Sequence, residues 1–284
     1  MDTIISQFRA WAVAAIVILV WGITFVNTRA LLGDFSALEI QFGRFALAWA
    51  TLWVYEIWRR YGDKNVAAPA CKGVVRGSAA LEDEWLFAAM GFFGVVFYQF
   101  LENCAIYYTN ASNVAVFMSF GPVVTAALAR TFAKERSLSV AFLVGSLIAI
   151  VGVALVSMNG VINLRLRPFG DLMALGAMVS WGFYSILVDK VNKRGYPPEF
   201  VIRKAFGWSI LMMLPICVWG MTDSGYCALD GSFSVTLGWS ANVERFSDWL
   251  NWLNLGFLGI FASASCFVLW NYVCHAIGVV RATV

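Results

Sequence analysis

Val20-Trp21-Gly22-Ile23-Thr24-Phe25 lies in the middle of the first apolar run, and Ser180-Trp181-Gly182-Phe183-Tyr184 repeats its Trp-Gly pair. The two pairs are 160 residues apart (181 − 21 = 160). The same spacing relates an acidic and then a basic pair of positions, Glu39 with Glu199 and Arg44 with Lys204. A Trp-Gly pair, an acid and a base repeated in one register indicate an internal duplication, which predicts two similar structural units.

The composition is that of an integral membrane protein. Of the 284 residues, 61% are hydrophobic and 13% are charged, whereas soluble proteins have about 25% charged residues. The apolar runs reach about 20 residues, enough for a helix to cross about 30 Å of hydrocarbon, and they lack the alternation of a barrel strand. No basic segment precedes the first run and no small-residue cleavage site ends it, so we expect it to remain as a membrane helix.

The apolar runs predict an all-α integral membrane fold with eight complete transmembrane helices and the start of a ninth. The predicted ranges are 11–32, 37–58, 85–108, 111–131, 138–158, 169–190, 198–219 and 249–276, and the ninth helix starts after Gly278. Ser36 and Glu39 have the spacing of a capping box at the start of the second helix. Pro198 suits the first turn of the seventh helix.

The second unit follows the first in a slightly shifted register. Asn103 in the third helix corresponds to Asn271 in the eighth (271 − 103 = 168), and the last four residues then overlay 113–116, the opening turn of the fourth helix. We therefore expect two domains, 11–158 with helices one to five and 168–284 with helices six to eight and the start of the ninth. Roughly two helices would be missing, as in a fragment or truncated gene. The alternative is a natural eight-helix protein with a short apolar tail.

The distribution of basic residues predicts the orientation in the membrane. One side receives Arg9, Arg59, Arg60, Lys64, Lys72, Arg76, Arg130, Lys134, Arg136, Lys190, Lys193, Arg194 and Arg281. The other side receives Arg29, Arg165, Arg167 and Arg245, and its longest loop is acidic. The N-terminus is therefore predicted to be cytoplasmic, in a multi-pass protein of the plasma membrane, with the two units in opposite orientations. Such inverted repeats are typical of carriers whose central site opens alternately to the two sides.

Several short motifs of the chain, taken in order, resemble those of the EamA-type transporters of the drug/metabolite transporter superfamily. The resemblance rests on Trp21-Gly22, Glu39 with Arg44-Phe45, Asn103-Cys-Ala-Ile-Tyr-Tyr-Thr-Asn-Ala-Ser-Asn113, Gly121-Pro122 and Lys134-Glu135. It implies an inverted repeat of five-helix units, ten helices in the family pattern, around a central cavity. It also implies export of amino acids, related metabolites or drugs from the cytoplasm. The chain departs from the pattern in lacking most of the ninth helix and all of the tenth.

Polar and aromatic side chains within the predicted spans are the candidates for a substrate site, since a polar group in a span is costly unless it faces a cavity or a partner. The candidate cavity residues are Trp21, Gln99, Asn103, Met118, Trp181, Tyr184, Trp270 and Asn271. Gln99, Glu102 and Asn103 share one helix face. The amides of Asn103 and Asn271, with Gln99, either hydrogen-bond a polar substrate or only bridge neighbouring helices. Both interpretations stay open.

Charged and helix-bending residues in the spans have separate expected roles. Glu102 is the candidate for coupling to protons, since a buried carboxyl can change its protonation state, although a place near the outer end of its helix would let it reach water. Five positions are expected to serve structure or charge balance: Glu39, Arg44, Pro122, Glu199 and Lys204. Arg44 is expected to brace the fold rather than touch substrate. Pro122 predicts a kink, and Gly22 and Gly182 predict close helix packing or bending.

The sequence predicts a secondary transporter that exports small molecules by alternating access. It contains no Walker A sequence, no H-E-x-x-H and only one histidine, His275, so neither an enzyme nor a cofactor or metal is expected. The expected partners are a small-molecule substrate and the lipid bilayer, with no nucleic acid and with a homodimer left open. The alternatives are a truncated or degenerate membrane protein that does not transport and, less favoured, an intramembrane enzyme.

Overall fold

The computed structural model describes residues 2–62, 81–109, 111–132, 140–158, 167–222, 226–227, 235–236 and 243–282. The Lys134-Glu135 pair, the last two residues and several loop residues used to predict the orientation (Lys64, Lys72, Arg76, Arg136 and Arg165) lie outside these ranges.

The described chain is almost entirely helical, which confirms the predicted fold class. Its α-helices are α1 (Asp2–Leu31), α2 (Ala37–Gly62), α3 (Leu81–Gly91), α4 (Tyr98–Tyr108), α5 (Ala111–Met118), α6 (Gly121–Phe132), α7 (Val140–Met158), α8 (Pro168–Asn192), α9 (Pro198–Thr222), α10 (Trp249–Gly256), α11 (Cys266–Ile277) and α12 (Val279–Ala282). Two-residue strands β1 (Tyr226–Cys227) and β2 (Val235–Thr236) pair antiparallel, and Glu244–Phe246 forms a 3-10 turn.

Every predicted span corresponds to helix in the structure. Within the described ranges, six segments are long and apolar enough to cross a membrane: Gln7–Leu31, Asp83–Ile106, Asn113–Phe132, Pro168–Asn192, Pro198–Val218 and Trp249–Ile277. The charged residues of α2 and the shorter apolar stretch Phe142–Leu155 in α7 keep those two helices outside this set. The predicted number of eight spanning helices stays a prediction. α1 begins at Asp2, earlier than predicted, because neither Gly nor Pro interrupts residues 2–21.

Two spans contain a segment of π-helix, which the sequence analysis did not predict. Phe92–Phe97 joins α3 to α4, and Phe257–Ser265 joins α10 to α11. The 168-residue register places the second segment on residues 89–97 (257 − 168 = 89 and 265 − 168 = 97), so the two segments overlap and end at the same position. A π-helix is rare, and it is found frequently at functional sites. The duplication is therefore visible in the backbone as well as in the sequence.

The helices of the two units are packed across the interface between the units. α1 makes its most extensive contacts with α11, α8 with α4, and α2 with the Phe257–Ser265 segment and α9. Gly182 lets α8 approach α6, since a Cβ there would lie 2.5 Å from Leu128. The prediction of close packing at Gly22 is wrong, because a Cβ at Gly22 would meet nothing within 4 Å.

The predicted helix-breaking and capping residues act where expected. The helix is interrupted between Met118 and Gly121, directly before Pro122, whose missing N–H cannot continue the hydrogen-bond ladder. Ser36 and Glu39 form the predicted capping box: the Ser36 N–H donates to Glu39 Oε2 at 2.7 Å, and the Glu39 N–H donates to Ser36 Oγ at 3.2 Å. Gly278, at φ +86°, turns the chain from α11 into α12.

Polar contacts close the interface between the units at both ends of the bundle, in related positions. At the end where α1 leads into α2, Asn251 Nδ2 donates to Asp34 Oδ2 at 2.9 Å. At the opposite end, Arg194 forms a salt bridge with Asp83. The two registers relate these pairs to each other, since 34 + 160 = 194 and 83 + 168 = 251. Each pair thus joins the end of the first helix of one unit to the start of the third helix of the other.

Candidate substrate site

A cluster of aromatic rings fills the centre of the interface between the units. Trp21 of α1 and Trp181 of α8 meet at right angles with ring centroids 5.5 Å apart. Trp270 of α11 lies 5.2 Å from Trp21, and Phe267 lies 5.7 Å from Trp21 and 6.1 Å from Trp181. The tryptophans of the two repeated Trp-Gly pairs therefore contact each other, and both units contribute to one cluster.

Tyr184 extends this aromatic cluster on the α8 side. Its ring lies 4.9 Å from that of Trp181, its side chain is buried, and its hydroxyl has no hydrogen-bond partner within the described residues. The ring is seated against Gly94 of the first π-helical segment, where a Cβ would lie 2.3 Å from a ring carbon. Gly94 is therefore required for the observed position of Tyr184.

The two asparagines related by the duplication have different environments. Asn103 Nδ2 donates to the Ala37 carbonyl at 3.3 Å, which joins α4 to α2. Asn271 has no exposed surface, and neither its Nδ2 nor its Oδ1 has a hydrogen-bond partner in the part of the chain that the structure describes. Asn103 therefore fits the helix-bridging interpretation, whereas Asn271 presents an unsatisfied amide one residue after Trp270 of the aromatic cluster.

Arg44 of α2 connects the two units next to the aromatic cluster. Its Nε donates to Ser263 Oγ at 2.5 Å, and its Nη1 donates to Gln99 Oε1 at 3.0 Å. All three side chains are buried. Gln99 thus contacts Arg44 rather than Asn103, and the predicted polar face of the third span is used to hold a guanidinium group.

Glu102 is buried. Its place near the end of the helix therefore does not expose it, as the sequence had allowed. Its carboxylate accepts a hydrogen bond from the Tyr98 hydroxyl at 2.9 Å. The Tyr98 ring also lies 5.0 Å from Trp181. Glu102 is thereby linked to the aromatic cluster through one side chain, which keeps it a candidate for coupling proton movement to changes in that cluster.

Side chains of the first helix of each unit bond to the π-helical segment of the other unit. Trp21 Nε1 donates to the Ala262 carbonyl at 3.0 Å, and Ser180 Oγ donates to the Phe93 carbonyl at 2.6 Å. A π-helix leaves carbonyl groups without their usual partner within the helix. These carbonyls are satisfied across the interface, and any movement that separates the units must break the bonds.

The remaining predicted site residues lie away from the aromatic cluster. Met118 packs in a separate apolar cluster with residues such as Phe25 and Met173. Three of the residues predicted to serve structure or charge balance form ion pairs near the ends of the bundle, Glu39 with Arg245, Glu199 with Arg59 and Lys204 with Glu84. The structure therefore divides the predicted residues into a central set and a set at the ends.

The described residues contain no cluster of three or more His, Cys, Asp or Glu side chains that could hold a metal ion. Four cysteines within the helices are buried: Cys104, Cys217, Cys266 and Cys274. The groups described at the centre are aromatic faces, amide groups, a tyrosine hydroxyl, a carboxylate and one guanidinium group, which are typical of binding sites for small organic molecules.

Comparison with known proteins places the chain in a family. The sequence model of the EamA-like transporter family matches residues 9–158 and 168–284. The chain belongs to this family. The matched residues include both Trp-Gly pairs and nearly all of the described helices, so the chain is a multi-pass membrane protein of the EamA-like transporter family, as its resemblance implied.

Individual relatives agree with the family assignment. An uncharacterized transporter of Archaeoglobus fulgidus is 23% identical over 209 residues, which is 72% of this chain and 65% of the relative. The uncharacterized transporter YyaM of Bacillus subtilis is 28% identical over 180 residues, 62% of this chain and 54% of YyaM. The aligned parts thus span less than two thirds of these relatives. A crystal structure with 17% identity and a TM-score of 0.64, covering 97% of this chain and 83% of the solved one, has the same fold.

Several residues of the central site were missed by the sequence analysis. Phe267, Ser180, Ala262 and Gln41 contribute rings or hydrogen bonds there, and Gln41 Nε2 donates to the Val95 carbonyl at 2.9 Å. The 168-residue register could have identified Phe267, because it aligns that position with Gln99. No sequence signal marks the Ala262 carbonyl, since its exposure depends on the local π-helix.

Substituting Gly94 with Ala tests how tightly Tyr184 is held. The new Cβ would overlap the Tyr184 ring, and overpacking of this kind costs about 1–3 kcal/mol of unfolding free energy. Gly22→Ala is the control, because its Cβ meets nothing within 4 Å and alanine favours helix by about 0.5–1 kcal/mol. Thermal unfolding of the purified variants should give a lower midpoint for Gly94→Ala and an equal or higher one for Gly22→Ala. Equal midpoints for both would contradict the observed packing of Tyr184.

Proposed function

We propose that this protein is a secondary transporter of the plasma membrane, with a cytoplasmic N-terminus, that exports small molecules from the cytoplasm by alternating access. The observation that carries the proposal is Asn271, a fully buried amide whose two polar atoms lack partners within the described residues. An unsatisfied buried amide destabilises the folded state. A substrate that hydrogen-bonds it would account for an amide at this position.

The surroundings of Asn271 support binding of a substrate with an apolar, ring-sized part. Trp270 is buried beside Asn271 in sequence and contacts Trp21, which contacts Trp181 of the other unit. Aromatic walls with a few polar groups are typical of binding sites for small organic molecules. A substrate entering between Trp21 and Trp181 would have to separate two rings that now touch, so binding would be linked to movement of the two units.

The polar contacts at the two ends of the bundle support alternating access. Asp34 with Asn251 and Asp83 with Arg194 occupy related positions in opposite orientations. In the proposed cycle one pair opens while the other stays closed, which exposes the aromatic cluster to one side at a time. The structure with both pairs formed then corresponds to the state between the two openings.

Transport into inside-out vesicles tests the proposal. Vesicles containing the full chain should accumulate at least one of radiolabelled L-tryptophan, radiolabelled L-serine and the cationic dye ethidium, several-fold above empty vesicles. The substitution Asn271→Ala should reduce that accumulation to background, whereas Ser265→Ala, on an exposed side of the same span, should leave it unchanged. Protein amount is measured in each preparation.

Two results would reject parts of the proposal. Folded protein that accumulates none of the probes would favour a membrane protein that does not transport. Undiminished accumulation by Asn271→Ala would exclude this amide from the site while leaving transport established. The family and the names of the relatives indicate a transporter rather than an enzyme.

A further inference from the structure

Arg44 is a buried cation whose direct contacts are all with neutral groups. Its guanidinium group donates to Ser263 Oγ at 2.5 Å and to Gln99 Oε1 at 3.0 Å. No salt bridge joins it to a carboxylate within the described part of the chain. The charged group that attracts it at longer range is Glu102, whose carboxylate is bound to the Tyr98 hydroxyl.

The other arginines that are buried among the described residues, Arg203 and Arg245, are paired with carboxylates. Arg245 donates from Nη1 and Nη2 to the two carboxylate oxygens of Glu39, at 2.8 and 2.7 Å. Arg203 lies 2.7 Å from Glu56 and above the Trp53 ring. A buried charge is strongly destabilising unless an opposite charge and hydrogen bonds compensate it. Arg44 has the hydrogen bonds without the contacting anion.

Arg44 lies at the edge of the aromatic cluster, which determines where an anion that contacts it would be placed. Ser263 follows Ala262, the acceptor of the Trp21 indole, and Gln99 follows Tyr98, whose ring lies 5.0 Å from Trp181. An anionic group at Arg44 would therefore lie next to the rings that both units contribute.

We propose that Arg44 binds the carboxylate of the transported molecule and that the substrates are aromatic acids or zwitterions rather than amines. This inference rests on the proposed transport function. A guanidinium group presents its N–H donors in a fork that fits a carboxylate. The carboxylate supplies the missing anion, the aromatic part lies against Trp21 and Trp181, and Asn271 hydrogen-bonds a second polar group. Arg44 is thus a specificity-determining residue rather than only a brace.

Thermal stability with three matched probes tests the inference independently of transport. The purified full chain is heated with millimolar indole-3-propionate, L-tryptophan or tryptamine, which share the indole ring and differ in their charged groups. The two probes with a carboxylate should raise the unfolding midpoint by about 3 °C, as expected for a ligand at several times its Kd. Tryptamine should leave the midpoint unchanged.

Substitution at Arg44 assigns the effect to this residue. Arg44→Gln should lose the response to both acids, because glutamine carries no positive charge that could attract a carboxylate. Arg203→Gln is the control, since that arginine already has a carboxylate partner, and it should keep the response. If Arg44→Gln does not fold, Arg44→Lys should need about tenfold more of each acid, because lysine lacks the fork.

Each contrary outcome overturns the inference. It is wrong if neither acid stabilises the wild type, if tryptamine alone does so, or if Arg44→Gln or Arg44→Lys responds as the wild type does. Vesicles that accumulate only ethidium would then leave the proposed transport function standing. Stabilisation by the acids through Arg44, with no accumulation of any probe, would instead reject transport and retain the anion site.

Discussion

Glu39→Gln should destabilise the protein by about 3–5 kcal/mol, because it leaves a buried guanidinium group without its anion. Glu39 and Arg245 bond through both carboxylate oxygens, and their side chains are 3% and 4% exposed. The pair joins the start of α2 to the connection before α10, so its loss weakens one end of the interface between the units. Chemical unfolding of the purified protein measures the change.

The duplication supplies a matched control for this substitution. Glu199 occupies the position related to Glu39, but its ion pair with Arg59 is more exposed, at 26% and 39%. An exposed ion pair contributes about 0–1 kcal/mol, so Glu199→Gln should have a small effect. Similar losses for the two variants would show that burial does not distinguish the pairs. The double variant Glu39→Gln/Arg245→Gln should recover part of the loss, since no unpaired charge remains.

Asn271→Leu should make the protein more stable and unable to transport. Leucine has the same branched shape as asparagine without the amide, and a buried polar group without a partner costs about 1–3 kcal/mol. We expect the unfolding free energy to rise by about 1–2 kcal/mol, while vesicle accumulation falls at least tenfold. A gain in stability that accompanies a loss of activity is typical of residues kept for function.

Asn103→Leu should behave in the opposite way, which makes it the control. Its amide bonds to the Ala37 carbonyl at 3.3 Å, so removing it should lower the unfolding free energy by about 1 kcal/mol. If Asn271→Leu is instead the less stable of the two, the Asn271 amide is satisfied in the folded protein and the basis of the proposed site is removed.

Much of the fold could be predicted because its determinants are local in the sequence. Apolar run length predicts each span, Ser36 with Glu39 predicts a cap, and Pro122 predicts the observed break. The π-helical segments could not be predicted in this way. They depend on donors from other helices, such as the Ser180 hydroxyl and the Trp21 indole, whose partners lie 87 and 241 residues away.

The candidate site was predicted only in outline for the same reason. The repeat led to Trp21 and Trp181, and the two rings do meet. The 168-residue register relates Asn103 to Asn271. In the structure Asn103 has a hydrogen-bond partner, whereas Asn271 has none among the described residues. Whether a polar side chain in a span is satisfied depends on the helix opposite it, which the repeat register does not specify.

The pairing of α1 with α11 has a consequence for how the protein is made. α1 is made before the other described helices, and its indole donor at Trp21 bonds to the Ala262 carbonyl, 241 residues later. At about 5–20 residues per second, synthesis of that interval takes about 10–50 s. During this time the inner face of α1 can contact only lipid, helices made earlier or the insertion machinery. We therefore expect the nascent first unit to depend on chaperoning in the membrane until α11 has been inserted.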